Sequence, residues 1–129
     1  MKLSLACSLL FFFFSSVLFS QPDEEIKKIN EAAPSEPSVS PKKKRHILVY
    51  SMPSGFKHSS IPTGVKGLRV LAEKTQAFKA TFTLETKEFT SEGLKKYDAI
   101  IFNNTTHVQE AFTEKSQRDA ILNFIKNGK

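Results

Sequence analysis

The chain has 129 residues and a formal net charge of +6, and this length allows one domain at most. Its single cysteine is Cys7, so residues 8–129 have no disulfide, no thiolate nucleophile and no cysteine metal site. The basic excess lies in residues 42–129, which hold sixteen basic and eight acidic residues. No groove-reading motif accompanies this charge, so we expect a solvated basic surface and no nucleic-acid partner.

An apolar segment occupies the amino terminus. Lys2 precedes the almost wholly apolar residues 3–19, and small residues lie near Ser20. A positive start, an apolar core and small residues before a cleavage point are typical of a secretory signal peptide. We therefore predict a signal peptide over residues 1–20 and an exported protein, either periplasmic or extracellular. The alternative is a retained membrane anchor, because the segment approaches the length of a membrane span. In that case the segment would be the protein's contact with a membrane.

Residues 21–44 differ in composition from the rest of the chain, since they are rich in Pro, Ser, Glu and Lys. Large apolar side chains are almost absent, so the segment cannot bury enough surface to offset the entropy lost on ordering. We predict a disordered linker in which Ile26 and Ile29 form at most a brief helical turn.

Strands and helices alternate from Arg45 onward. The predicted strands cover residues 46–50, 78–84 and 98–102, with a short helix or turn at 90–97. The first and third strands are continuous apolar runs, which fit a parallel sheet buried on both faces. The second alternates apolar and polar residues, which is typical of an edge strand.

Apolar residues that recur at helical spacing predict two longer helices. The first covers about residues 60–74, with Ser59 or Ser60 as its cap and Pro62 in its first turn. The second begins near Thr113, which can cap it. The apolar faces expected for these helices consist of Ile61, Val65, Leu68 and Ala72, and of Gln117, Ile121, Phe124 and Ile125.

These elements predict an α/β fold with strand order 2-1-3. This order begins a flavodoxin-like three-layer sandwich, in which right-handed crossovers place helices on both faces of the sheet. Ligands of such sheets bind beyond the carboxyl ends of the strands, where the winding direction switches. The polar loops 51–58 and 103–107 follow strands one and three, so we expect the functional site there.

Several motifs follow one another from the first predicted strand onward. They are the strand 47–50 with Gly55-Phe56-Lys57-His58 and Ser60-Ile61-Pro62, then Phe89-Thr90, Leu94, Tyr97-Asp98, and the strand 99–102 with Asn103-Asn104-Thr105-Thr106. In this order and spacing they resemble the ThuA-like (trehalose utilisation) family. The resemblance covers residues 45–129 and implies a class I glutamine amidotransferase-like fold. It also implies a role in carbohydrate utilisation with a small carbohydrate ligand. Because domains of the family are much longer than this chain, it implies the N-terminal part of such a domain, truncated after about three βα units.

Two histidines stand at the predicted site. We assign His58 as the catalytic residue, because an imidazole titrates near neutral pH and can transfer protons. His107 can share the site, since neighbouring strands lie about 5 Å apart. The two can act as an acid–base pair or as ligands of a divalent metal completed by other groups. The structural alternative is that His58 only fixes the start of the next helix.

The other candidate residues are Gly55, its neighbour Phe56, and polar residues of the two loops. Gly55 permits a close backbone approach, and Lys57 can attract an anionic group. The amides and hydroxyls after strand three suit sugar hydroxyls, although they can also serve as loop-capping groups. The predicted substrate-binding residues are Gly55, Phe56, Lys57, Asn103, Asn104, Thr105 and His107. We assign no metal ligand, and the cofactor and the oligomeric state are undetermined.

Three functions are open from the sequence. The first is an exported protein that acts on or binds a sugar derivative. The second is a non-catalytic carbohydrate-binding or scaffold module, or an inactive fragment without the catalytic half. The third is an amidotransferase-type hydrolase, which needs a nucleophilic cysteine that residues 21–129 do not supply.

Overall fold

The computed structural model describes residues 23–128, and the signal peptide predicted over residues 1–20 lies outside them. The helices are α1 (Glu24–Ala32), α2 (Ile61–Thr75), α3 (Val108–Ala111) and α4 (Lys115–Lys126), and the strands are β1 (Arg45–Tyr50), β2 (Phe78–Thr83) and β3 (Ala99–Phe102). Two short 3-10 helices, Thr86–Glu88 and Gly93–Lys96, connect β2 to β3. Within residues 23–128, none of the helices combines enough length and apolar character for a membrane span.

The three strands form one parallel sheet with the order β2-β1-β3. The predicted strand order is therefore confirmed, with β1 in the middle. Leu48, Val49 and Tyr50 are successive residues of β1, and all three are buried. Because successive side chains of a strand point to opposite faces, both faces of β1 must be covered.

Helices cover the two faces. Leu48 and Tyr50 belong to a buried cluster that includes Phe124 of α4. On the other face, Val49 is paired in register with Phe82 of β2, and the guanidinium of Arg69 in α2 lies 4.6 Å from the centre of that ring. The helices α2 and α4 thus lie on opposite faces, which gives the first part of a flavodoxin-like sandwich.

An aromatic cluster fills the core on the α4 side. The ring of Tyr50 lies 5.4 Å from that of Phe89 and 5.6 Å from that of Phe112, measured between centroids. Phe89 and Phe112 are themselves 4.7 Å apart in an edge-to-face arrangement. Such pairs stabilise a core beyond the area that they bury.

The helix α2 agrees with the prediction to within one residue at each end. Pro62 lies in its first turn, and Gln76 follows it in the left-handed conformation with φ 54°. Ser60 is the N-cap residue, as predicted, but its side chain makes no capping hydrogen bond. The hydroxyl instead accepts a hydrogen bond from Nδ2 of Asn104, 2.9 Å away.

The helix α4 begins later than predicted. Its N-cap residue is Glu114, so Thr113 does not cap it. Ile125, expected on the apolar face, is 60% exposed, whereas Ala120 and Phe124 are buried. Ile125 is one residue beyond Phe124, which rotates it about 100° around the helix and out of the core.

The helix α1 lies where the sequence predicts a disordered linker, and it is longer than the brief turn expected there. Asp23 caps it by accepting a hydrogen bond from the backbone of Glu25. Lys66 of α2 forms ion pairs with the carboxylates of Asp23 and Glu25. Near the other end, Lys74 donates to the carbonyls of Asn30 and Ala33, each at 2.6 Å. These contacts with α2 order a segment whose own composition does not.

Asp98 joins the start of β3 to the start of β1. Its Oδ2 accepts from the backbone N–H of His46 at 2.9 Å, and its Oδ1 lies 3.1 Å from both Lys43 Nζ and Arg45 Nη1. The backbone hydrogen bond and the two cations hold the pKa of Asp98 well below its ordinary value. A depressed pKa means that this carboxylate stabilises the fold above its unfolded pKa, and that the stabilisation is lost as pH falls toward the folded pKa.

We therefore expect the Asp98→Asn variant to be less stable than the wild type at neutral pH, with a difference that shrinks as pH falls below about 4. The measurement is the urea midpoint by far-ultraviolet circular dichroism, because the chain has no tryptophan. The control is Glu92→Gln, whose carboxylate is 83% exposed and should contribute little at any pH. A difference for Asp98→Asn that persists undiminished to pH 2 would contradict this role.

Candidate functional site

The loops after β1 and β3 meet at the carboxyl edge of the sheet, as predicted from the strand order. The carbonyl of Thr106 accepts hydrogen bonds from the backbone N–H groups of Ser54 and Gly55, at 3.1 and 3.2 Å. At the base of the loops, the N–H of Asn103 donates to the carbonyl of Tyr50 at 2.9 Å. Backbone hydrogen bonds thus fix the two loops to each other.

Asn103 ties these loops to α2. Its Nδ2 donates to the carbonyl of Ile61 at 3.0 Å and to Oγ of Ser51 at 3.3 Å. On the other side, a Cβ placed on Gly64 would lie only 2.4 Å from Oδ1 of Asn103. Both hydrogens of this amide are used within the protein, so the structure gives Asn103 a role in holding the start of α2. Its Oδ1 lies against Gly64, and its contact with substrate stays a prediction.

Asn104 is exposed and has the left-handed conformation, with φ 51°. Asparagine is among the residues that tolerate this conformation best. Its side chain reaches Ser60, so the β3 loop holds the beginning of α2 at a second point. Thr105, the next predicted binding residue, is half-buried.

His107 also has the left-handed conformation, with φ 56° and ψ 37°. Its Nδ1 lies 2.9 Å from Oε1 of Glu110, and both side chains are more than half exposed. The ring packs against Gly55, where a Cβ would lie 3.0 Å from Cδ2 of the imidazole. The absence of a side chain at Gly55 therefore allows the close approach of the β1 loop to His107.

The segment 55–58 is exposed throughout. Phe56 is 70% exposed, and its ring centre lies 4.9 Å from that of His58 in an edge-to-face arrangement. The carbonyl of His58 accepts from the N–H of Ile61 at 3.2 Å, so its backbone begins α2. Lys57 stands between these two rings in sequence.

The structure thus divides the predicted site residues into two groups. Phe56 and His58 form a ring pair on the β1 loop, while His107 contacts Gly55 and Glu110. Within residues 23–128, no group of three or more His, Cys, Asp and Glu side chains is arranged to hold a metal ion.

Sequence reasoning missed Glu110 and Gly64. The signal for Glu110 is its position three residues after His107, which is a contact spacing in a helical turn. Gly64 shows no such signal, because its closeness to Asn103 depends on the packing of α2 against the β3 loop.

His46, the third histidine of the chain, lies at the opposite end of β1. Its Nε2 is hydrogen-bonded to Oγ1 of Thr81 at 2.9 Å, and its ring lies 4.6 Å from that of Tyr97. Burial lowers the pKa of this imidazole, aided by the nearby charge of Lys79. His46 therefore belongs to the packing at the amino edge of the sheet.

The fold and its polar carboxyl edge define a flavodoxin-like α/β protein. The model of the family described as ThuA, trehalose utilisation, matches residues 46–129, which is most of the chain. The chain therefore belongs to the ThuA family, and this membership suggests a role in trehalose utilisation. No curated protein and no solved structure matches the chain.

Proposed function

We propose that the protein is exported and binds a small carbohydrate of the trehalose type at the carboxyl edge of β1 and β3. The observation that carries this proposal is the exposed ring of Phe56, which stands on a loop fixed to the β3 loop. Family membership supports the class of ligand. The signal peptide predicted over residues 1–20 supports export.

The chemistry of the two loops supports a sugar ligand. A pyranose ring has an apolar face of C–H groups and a rim of hydroxyls, so it needs an aromatic surface beside hydrogen-bonding groups. Phe56 supplies the aromatic surface, and Lys57 and the carboxamide of Asn104 supply donors and acceptors in the two loops. When a ligand covers a mostly solvated phenyl ring, apolar surface is removed from water, and this contributes favourably to the free energy of binding.

The test is a titration of the full chain with trehalose, monitored by calorimetry and by the NMR shifts of the backbone amides. We expect the amides of Gly55 and Phe56 to shift, and Phe56→Ala to weaken binding about tenfold, which corresponds to about 1.4 kcal/mol. The matched control is Phe56→Tyr, which keeps an aromatic ring and should keep most of the affinity. Equal affinity of wild type and Phe56→Ala would rule out this ring as the ligand's platform.

Replacement of His58 by alanine distinguishes a catalytic role of the protein from a role in binding alone. If the protein transforms its sugar ligand and His58 is catalytic, His58→Ala should lose turnover while keeping affinity. Unchanged turnover would remove His58 from the reaction. An absence of turnover in the wild type, with binding retained, would favour the non-catalytic module.

A further inference from the structure

We infer that His107 and Glu110 are the proton-transfer unit of this site, with Nε2 of His107 as the accepting atom and Glu110 as its positioning residue. The inference rests on the proposed function, because the proton comes from a hydroxyl of the bound carbohydrate or from a water beside it. It places proton transfer on the β3 loop, whereas the sequence alone directed attention to His58 on the β1 loop.

The hydrogen bond to Glu110 fixes which ring nitrogen carries the hydrogen. An ionised carboxylate can only accept, so at 2.9 Å from Oε1 the Nδ1 of His107 must be the donor. In the neutral imidazole the other nitrogen, Nε2, is then an acceptor. A base held in one tautomer by a carboxylate is the arrangement that proton-transferring histidines use in catalysis.

The other two histidines differ from His107 in this respect. Nε2 of His46 is already hydrogen-bonded to Thr81 at the far edge of the sheet. His58 packs its ring on Phe56. Among the histidines in the described part of the chain, His107 is the one with a carboxylate oxygen at hydrogen-bond distance from its ring.

The ring of His107 lies against the β1 loop. Cδ2 of His107 is bonded to Nε2, and Cδ2 is the atom that faces Gly55 most closely. The left-handed backbone of His107 turns the chain into α3 and brings Glu110 within reach of the ring. Since non-glycine residues rarely adopt this conformation, the surrounding contacts must hold it.

The proton transfer balances with the groups present. The O–H bond of the hydroxyl or water breaks, its oxygen keeps the electron pair, and a new N–H bond forms at Nε2. The resulting imidazolium donates from Nδ1 to the Glu110 carboxylate, whose negative charge stabilises it. The proton returns from Nε2 to an oxygen of the product or to solvent.

The first arm of the test reads the tautomer of the full chain, labelled with ¹⁵N at its three histidines. Above pH 8 we expect Nε2 of His107 to resonate as an unprotonated ring nitrogen in the wild type. Glu110→Ala should move this signal toward the range of a protonated nitrogen. Glu110→Gln should retain the wild-type tautomer, because its amide oxygen can still accept from Nδ1. The signals of His46 and His58 should not change in either variant.

The inference is overturned if wild-type His107 carries its hydrogen on Nε2, or if Glu110→Ala leaves the tautomer unchanged. Either result would show that the carboxylate of Glu110 does not position the ring of His107. A purely structural hydrogen bond would fix the same tautomer, so a second arm tests whether Nε2 meets the ligand.

The second arm adds trehalose and follows Nε2 of His107 together with the backbone amide of Phe56. A shift of both signals supports the inference. A shift of the Phe56 amide alone overturns the inference and leaves the proposed function standing. If neither signal moves, the proposed binding of a carbohydrate is wrong. The inference that His107 accepts a proton from that carbohydrate is then wrong as well.

Discussion

Replacement of Phe89 by alanine should cost about 3–5 kcal/mol of unfolding free energy, the range measured for deleting a buried phenyl ring. Phe89 is fully buried, with its ring centre 5.4 Å from that of Tyr50 and 4.7 Å from that of Phe112. The substitution removes both ring contacts and leaves a cavity that the sheet and α4 can fill only in part. Urea unfolding followed by circular dichroism measures the loss.

The size of this loss matters because small domains are only marginally stable, by about 5–15 kcal/mol. Phe89→Ala should therefore remove a large share of the free energy of unfolding. The matched control is Phe56→Ala, the same substitution at a ring that is 70% exposed, where we expect a change within about 0.5 kcal/mol. Equal destabilisation by the two substitutions would show that Phe89 does not fill the core in this way.

The regular elements of the sheet were predictable because their patterns are local. The apolar run of β1 and the alternation in β2 each identify a strand, and the rule for ligand sites in parallel sheets places the loops at one edge. Phe89 was not predictable as a core residue. It lies between two 3-10 helices, where no apolar periodicity marks the buried side chain.

The helix α1 shows a second limit of sequence reasoning. Its residues bury little surface, and the contacts that order it come from Lys66 and Lys74, more than thirty residues away. Composition describes what a segment can bury by itself, so it does not reveal ion pairs supplied by another helix.

The candidate site was predictable as a place but not as an arrangement. The strand order brings the two loops together, whereas the partners of each side chain depend on rotamers and on the conformation of single residues. Two non-glycine residues of the β3 loop, Asn104 and His107, have positive φ. These conformations direct one side chain to Ser60 and the other to Glu110, and no spacing rule for strands or helices indicates them.

Replacement of Gly64 by alanine should destabilise the protein by about 1–3 kcal/mol, although alanine is the better helix former. The new Cβ would lie 2.4 Å from Oδ1 and 3.1 Å from Cγ of Asn103. Asn103 can avoid it only by leaving the carbonyl of Ile61 and the hydroxyl of Ser51. The measurement is the urea midpoint, together with the amide signals of the β3 loop, which should shift when Asn103 moves.

Gly67 provides the control within the same helix. A Cβ at Gly67 would meet nothing within 4 Å, so Gly67→Ala should stabilise the protein by about 0.5–1 kcal/mol through helix propensity alone. The clash itself is isolated by adding Asn103→Ala, since the double variant Gly64→Ala/Asn103→Ala has no amide for the new methyl group to strike. We therefore expect the double variant to be more stable than the sum of the single changes predicts, by about 1 kcal/mol or more. Strict additivity would mean that the contact between α2 and the β3 loop does not hold Asn103 in place. The loop that presents His107 would then need another support.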